Sequence, residues 1–161
     1  MPMPSTFWPS NGSTDDVMIR LPEVYRTKTP GGATVRDVYL ANLAILEAAI
    51  KDLEELPTLP IDERAVGVDL NGDKVLSVVT RLNRPESYVG AAQDQTVETF
   101  LYPRGTEFMH TVRYLGIDEK GGIHVSRRMK EVRYMIKHTS LPKFALSGLY
   151  DNEVQEKIEG N

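Results

Sequence analysis

The side chains best able to do chemistry lie between residues 104 and 143. That stretch holds nine Lys/Arg against four Asp/Glu, net +5, together with all three histidines, His110, His124 and His138. Guanidinium and ammonium groups at that density bind carboxylates or phosphates, Arg through a planar fork of donors and Lys as a point charge. Two β-rich runs, Glu107–Ile117 and Ile123–Ile136, flank Asp118-Glu119-Lys120-Gly121-Gly122 and predict a long hairpin. Pairing symmetric about Lys120 would set Ile117 against Ile123, Leu115 against Val125 and Glu107 against Arg133, all favourable cross-strand pairs. The same register sets Arg113 against Arg127, and like charges directly opposed are destabilising. Either Glu131, on the same face, or a bound anion would offset that repulsion. On the neighbouring face His110, Lys130 and Arg128 would surround Val112. Arg113, Arg127, Arg128, His110 and Lys130 are thus the candidate ligand-binding residues, for an anionic small molecule or an acidic protein surface. The plainer alternative is a solvated sheet face with local ion pairs. Both depend on the register, because a one-residue slip moves every side chain to the other face.

No catalytic residue is assigned. An enzymatic alternative would use His110 or His124 as acid–base and Arg113 as electrostatic stabiliser. Successive histidines are 14 residues apart, which gives no local metal-ligand spacing, and Glu107 and His110 would point to opposite faces of a strand. Tyr102, Tyr114 and Tyr134 near the basic run could stack on bases, but such tyrosines commonly sit half-buried in a sheet with a wet hydroxyl. Asp69-Leu70-Asn71-Gly72-Asp73-Lys74 resembles the opening of an EF-hand loop. It lacks Gly at the sixth position, where Lys74 stands, and Glu at the twelfth, where Thr80 stands. A structural calcium site is therefore a second alternative, beside a plain Asn-Gly hairpin joining Ala65–Leu70 to Asp73–Val79. Gly31-Gly32 precedes a helix without the Lys-Ser/Thr of a phosphate loop. No cofactor motif is present.

Several elements must position these residues. Thr34 to Leu56 predicts a helix, with Thr34 as cap, Asp37 in the first turn and Pro57 as stop. Tyr39, Leu43, Leu46, Ile50 and Leu53 form its apolar stripe, a core face rather than a dimer seam. Val17–Leu21 reads as an edge strand ended by Pro22, Pro57–Arg64 as a linker, residues 83–95 as a loop and Thr96–Tyr102 as a strand. Met129, Val132 and Ile136 also fit helical spacing, but Arg127 and Arg128 would then sit in a first turn, where positive charge opposes the dipole; strand is preferred. Residues 1–16 read as an extended arm that Phe7 and Trp8 could pin, residues 17–150 as one domain, and residues 151–161 as an acidic tail or short helix. The fold class is α+β: a mostly antiparallel sheet of about five or six strands, covered on one face by one long amphipathic helix.

Composition sets the outer limits. The chain has 161 residues, 40% hydrophobic and 26% charged, a globular balance. With no cysteine there is no disulfide, thiolate metal site or thiol nucleophile in it. A net charge of −4 argues against a nucleic-acid footprint. Residues 1–80 carry 7 basic and 12 acidic groups, so the positive charge is local to the second half. The N-terminal residues lack a secretory pattern, and no stretch approaches the roughly 20 apolar residues of a membrane span. These features lead to the expectation of a soluble, cytoplasmic, non-catalytic binding module without membrane association, with self-association left open.

Overall fold

The computed structural model describes residues 13–141 together with positions 148, 151, 154, 155, 157 and 158. The chain runs β1 (Ser13–Arg20), α1 (Arg36–Lys51), β2 (Glu55–Asp62), a single-turn α2 (Glu63–Val66), β3 (Val78–Asn83), β4 (Glu107–Ile117) and β5 (Ile123–Ile136). The class is α+β with antiparallel sheets, but among the described residues the five strands form two sheets rather than one, in the orders β1-β4-β5 and β2-β3. Helix α1 packs on β2, not across the larger sheet.

Helix α1 is shorter than its periodicity predicts, for local reasons at both ends. Thr34 does not cap it, because it forms an extended bridge with Thr27, and the Val35 N–H donates to the Arg26 carbonyl. Asp52 then adopts the left-handed conformation (φ 52°) and donates its N–H to the Ala48 and Ala49 carbonyls, closing the helix five residues before Pro57. Asp37 does occupy the first turn. The buried stripe is Val38, Ala41, Asn42, Ala44, Ile45, Leu46, Ala48 and Ala49, with Tyr39, Leu43 and Ile50 at its margin and Leu53 exposed beyond it. Small alanines let neighbouring backbone approach closely. Buried Asn42 binds that backbone directly: its amide donates to the carbonyls of Tyr25 (2.9 Å) and Val89 (3.1 Å) and accepts the Val89 N–H (2.9 Å). Donor and acceptor groups are both matched, as a buried amide requires.

The segment Pro57–Arg64, expected as a linker, is mostly β2. Among the described residues it pairs on one side only, with β3, and its register breaks between Pro57 and Ile61. Prolines are tolerated at such an edge and bulge. The Asn71-Gly72 hairpin does not form. Buried Glu63 accepts N–H groups from Leu70 (2.6 Å) and Ser77 (3.0 Å), holding the intervening chain as a loop, and β3 pairs back to β2 instead. Thr96–Tyr102 is not a strand: Thr96 bridges Ser87, and Phe100 takes a positive φ of 64°.

Leu21, Tyr25, Ile45, Leu46, Leu56, Ile61, Val79, Leu82, Tyr88 and Val89 form the core, with the Tyr25 and Tyr88 rings edge to face at 4.8 Å. No residue of β1, β4 or β5 belongs to it. Strand β1 begins at Ser13, so the last four residues of the expected N-terminal arm are paired; Phe7 and Trp8 lie outside the described residues. Asp151, Val154, Gln155, Lys157 and Ile158 are helical.

Candidate functional site

Strands β4 and β5 have the limits that the sequence predicts, and residues 126–136 are strand rather than helix. Near the turn the register is also the expected one, with Ile117 opposite Ile123 and Leu115 opposite Val125. It then shifts twice: Arg113 faces Met129, and Val112 faces Glu131. The assumed Arg113–Arg127 and Glu107–Arg133 pairings therefore do not occur, and the like-charge repulsion inferred from the first is absent. The physical cause is an excess of residues in β5, which has 14 against 11 in β4 and bulges to absorb them. That inequality is visible in the sequence boundaries and was the signal against a symmetric hairpin.

Strand β4 itself runs regularly against β1, so the two faces can be assigned by alternation. One face carries Asp15, Val17, Phe108, His110, Val112, Glu131 and Arg133. His110 Nε2 lies 3.3 Å from Asp15 Oδ2, and Arg133 pairs with Glu131, whose carboxyl is thereby held below the usual range. The other face carries Met18, Arg20, Glu107, Met109, Arg113, Met129, Val132 and Tyr134. There Glu107 Oε2 accepts from Arg20 (2.6 Å) and from the Tyr134 hydroxyl (2.7 Å), which lowers its pKa. His110 and Arg113 thus point to opposite faces. His124 lies over Gly116 near the turn, six residues along the sheet from the His110 level, or about 20 Å at the usual strand rise. The histidine and arginine of the enzymatic alternative do not converge.

Arg127, Arg128 and Lys130 occupy the bulged part of β5, all exposed. None of them, nor half-buried Arg113, makes a salt bridge among the described residues. The Arg128 guanidinium sits 5.9 Å from the Tyr114 ring centroid, within cation–π range. The same sheet also exposes apolar groups that periodicity alone would have assigned to a core: Val17 on β1, and Met129, Val132, Tyr134 and Met135 on β5. A cleft of about 340 Å³ lined by Tyr25, Tyr88, Tyr102, Asp94 and Glu98 was not anticipated, and it lies away from these cations.

The calcium-like loop is already satisfied by its own chain. Asp69 accepts the N–H groups of Gly72 and Lys74 (both 2.7 Å), and the Lys74 amide is the main cause of its lowered pKa. Asp73 accepts from Val75 and from the Asn71 amide. Among the described residues no group of three or more His, Asp or Glu is arranged to hold a metal.

The fold and site thus define an α+β domain with a packed body and an exposed, cation-bearing sheet. The chain belongs to a lipoprotein family: the family model described as ":-like lipoprotein" matches residues 1–158. It is also similar to an "Uncharacterized lipoprotein" of Aquifex aeolicus (strain VF5), at 38% identity over 131 residues, which is 81% of this chain and 20% of the relative. The chain therefore spans about a fifth of that relative's length. No solved structure matches. These relationships overturn the expectation of a cytoplasmic chain with no membrane association, because a lipoprotein is held at a membrane by its covalent lipid. No helix among the described residues is long and apolar enough to cross a membrane.

Proposed function

We propose that this domain is a non-catalytic interaction module of a lipoprotein, and that Arg113, Arg127, Arg128, His110 and Lys130 give its β4–β5 hairpin a preference for an anionic ligand or acidic partner. One observation carries the reading. The β1-β4-β5 sheet lies outside the core and exposes apolar groups on both faces, beside cations that form no salt bridge among the described residues. Contiguous exposed apolar surface rimmed by charge is characteristic of a docking surface. Clustered cations add attraction and speed encounter with a negatively charged partner. Within the group, Arg127, Arg128 and Lys130 make the primary contact. His110 and Arg113, on opposite faces, each serve their own side of the sheet.

The test uses poly-L-glutamate and inorganic phosphate as probes, titrated against the wild-type chain and the triple variant Arg127→Glu, Arg128→Glu, Lys130→Glu. Polyglutamate binding should weaken with added salt and fall by about tenfold or more in the variant, as expected when three surface charges reverse. Phosphate binding of the same sensitivity would assign the site to small anions instead. Failure of both probes to bind, or binding indifferent to the reversal, overturns the reading.

A further inference from the structure

We propose that the acidic partner of the β5 edge is the β1 edge of a second copy of this chain, so that copies join head to tail into a continued sheet. This rests on the interaction reading above and names its partner.

The two outer strands of the sheet carry opposite charge. Strand β1 presents Asp15 and Asp16, both exposed, and β5 presents Arg127, Arg128 and Lys130. Among the described residues each of these strands pairs only with β4, which leaves two edges with unused backbone donors and acceptors. Such edges template further pairing unless something blocks it. Here the charges block selectively. Strand β5 carries Arg127, Arg128, Lys130 and Arg133 against Glu131 and is net positive, whereas β1 carries Asp15 and Asp16 against Arg20 and is net negative. Two β5 edges therefore repel and two β1 edges gain no net attraction, whereas β1 against β5 brings opposite net charges together and favours the heterologous contact.

The strand directions are compatible. Strands β1 and β5 are both antiparallel to β4 and hence parallel to each other. A neighbouring copy displaced along the sheet would therefore lay its β1 parallel to β5, a permitted ladder. Level with Glu131, Asp15 would meet an acid. A shift of about three residues toward the turn, some 10 Å at the usual strand rise, sets Asp15 and Asp16 beside Arg127, Arg128 and Lys130. The same shift brings Val17, Ile19 and Val132 into the join and sets Arg20 level with Arg133, a like-charge pair that the two aspartates must outweigh. Because the contact is heterologous, it closes into a ring or runs on as a filament, according to the rotation between copies.

The experiment measures mass in solution, by light scattering and sedimentation from low micromolar to near-millimolar concentration. Four samples are compared: the wild-type chain, Asp15→Lys with Asp16→Lys, the Arg127→Glu, Arg128→Glu, Lys130→Glu triple variant, and an equimolar mixture of the two variants. The wild type should associate with rising concentration and lose that association in high salt. Each variant alone should be monomeric at concentrations where the wild type is not. The mixture should associate, since one variant then has two basic edges and the other two acidic ones. That rescue also excludes misfolding as the cause of the losses. A wild-type chain that stays monomeric throughout, or variants that associate as well as it does, overturns the proposal. If self-association fails while polyglutamate binding persists, the partner is not a second copy and the interaction reading stands. If both fail, that reading falls too.

Discussion

In the body, Leu56, Ile61, Val79 and Leu82 on β2 and β3 each keep 5% or less of their surface exposed, whereas Val132, Tyr134 and Met135 on β5 keep more than half. The residue types are alike, apolar and β-forming in both regions. The difference lies in the cover. Helix α1 lies against β2 and brings Ile45 and Leu46 into the same cluster, while no described element of comparable size lies across β5. Burial of apolar surface stabilises by roughly 25 cal/mol per Å², so the body is where this domain gains its stability. The larger sheet leaves equivalent surface uncovered by any described element.

The comparison can be broken most directly by paired truncations. Ile45→Ala, at a fully buried site, should cost about 3–4 kcal/mol in urea unfolding, from lost transfer energy plus a cavity. Val132→Ala, at a site half exposed, should cost less than about 1 kcal/mol, mostly strand preference. Equal costs would mean that the sheet is as well packed as the body, and the contrast would fail.

A smaller effect sharpens the same contrast through pH. The Arg20 guanidinium and the Tyr134 hydroxyl hold the Glu107 carboxyl below its ordinary value. A depressed carboxyl contributes stability above its unfolded pKa and loses it as the pH falls through the folded one. Glu107→Gln should therefore flatten part of the acid-side loss of stability and change little near neutrality, in thermal scans across pH. Because the pair joins β1 to β4, the change should appear in probes of the sheet before probes of α1. An acid limb identical to the wild type would show that the pair contributes nothing in solution.

The same contrast explains what the sequence could show. Strands β4 and β5 were legible because two long β-forming runs flank a Gly-Gly turn, and α1 because its apolar positions repeat at helical spacing. Their partners were not. Pro57 and Pro60 disguise β2, since proline disqualifies a central strand but not an edge with a bulge. The Asn-Gly hairpin lost to Glu63, whose carboxylate reaches seven and 14 residues along the chain, a contact no local pattern displays. The basic candidates were visible as composition, but their pairing was not, because the bulges of β5 change which residues face one another. Membrane association was illegible for a different reason. Lipidation is specified by an attachment signal, not by the fold, and these 161 residues hold no cysteine for a thiol-linked lipid.

Native-state hydrogen exchange tests the central claim, that the body is the stable unit and the β5 edge a docking surface. In dilute solution, the α1 amides of Ile45 and Leu46 and the β3 amide of Leu82 should exchange only through global unfolding. The amides of Val132–Ile136 that do not bond to β4 should exchange fast, and should gain protection at concentrations where copies associate or when polyglutamate is added. Protection of those β5 amides equal to that of α1 in the dilute chain, unchanged by partner or concentration, would contradict the account.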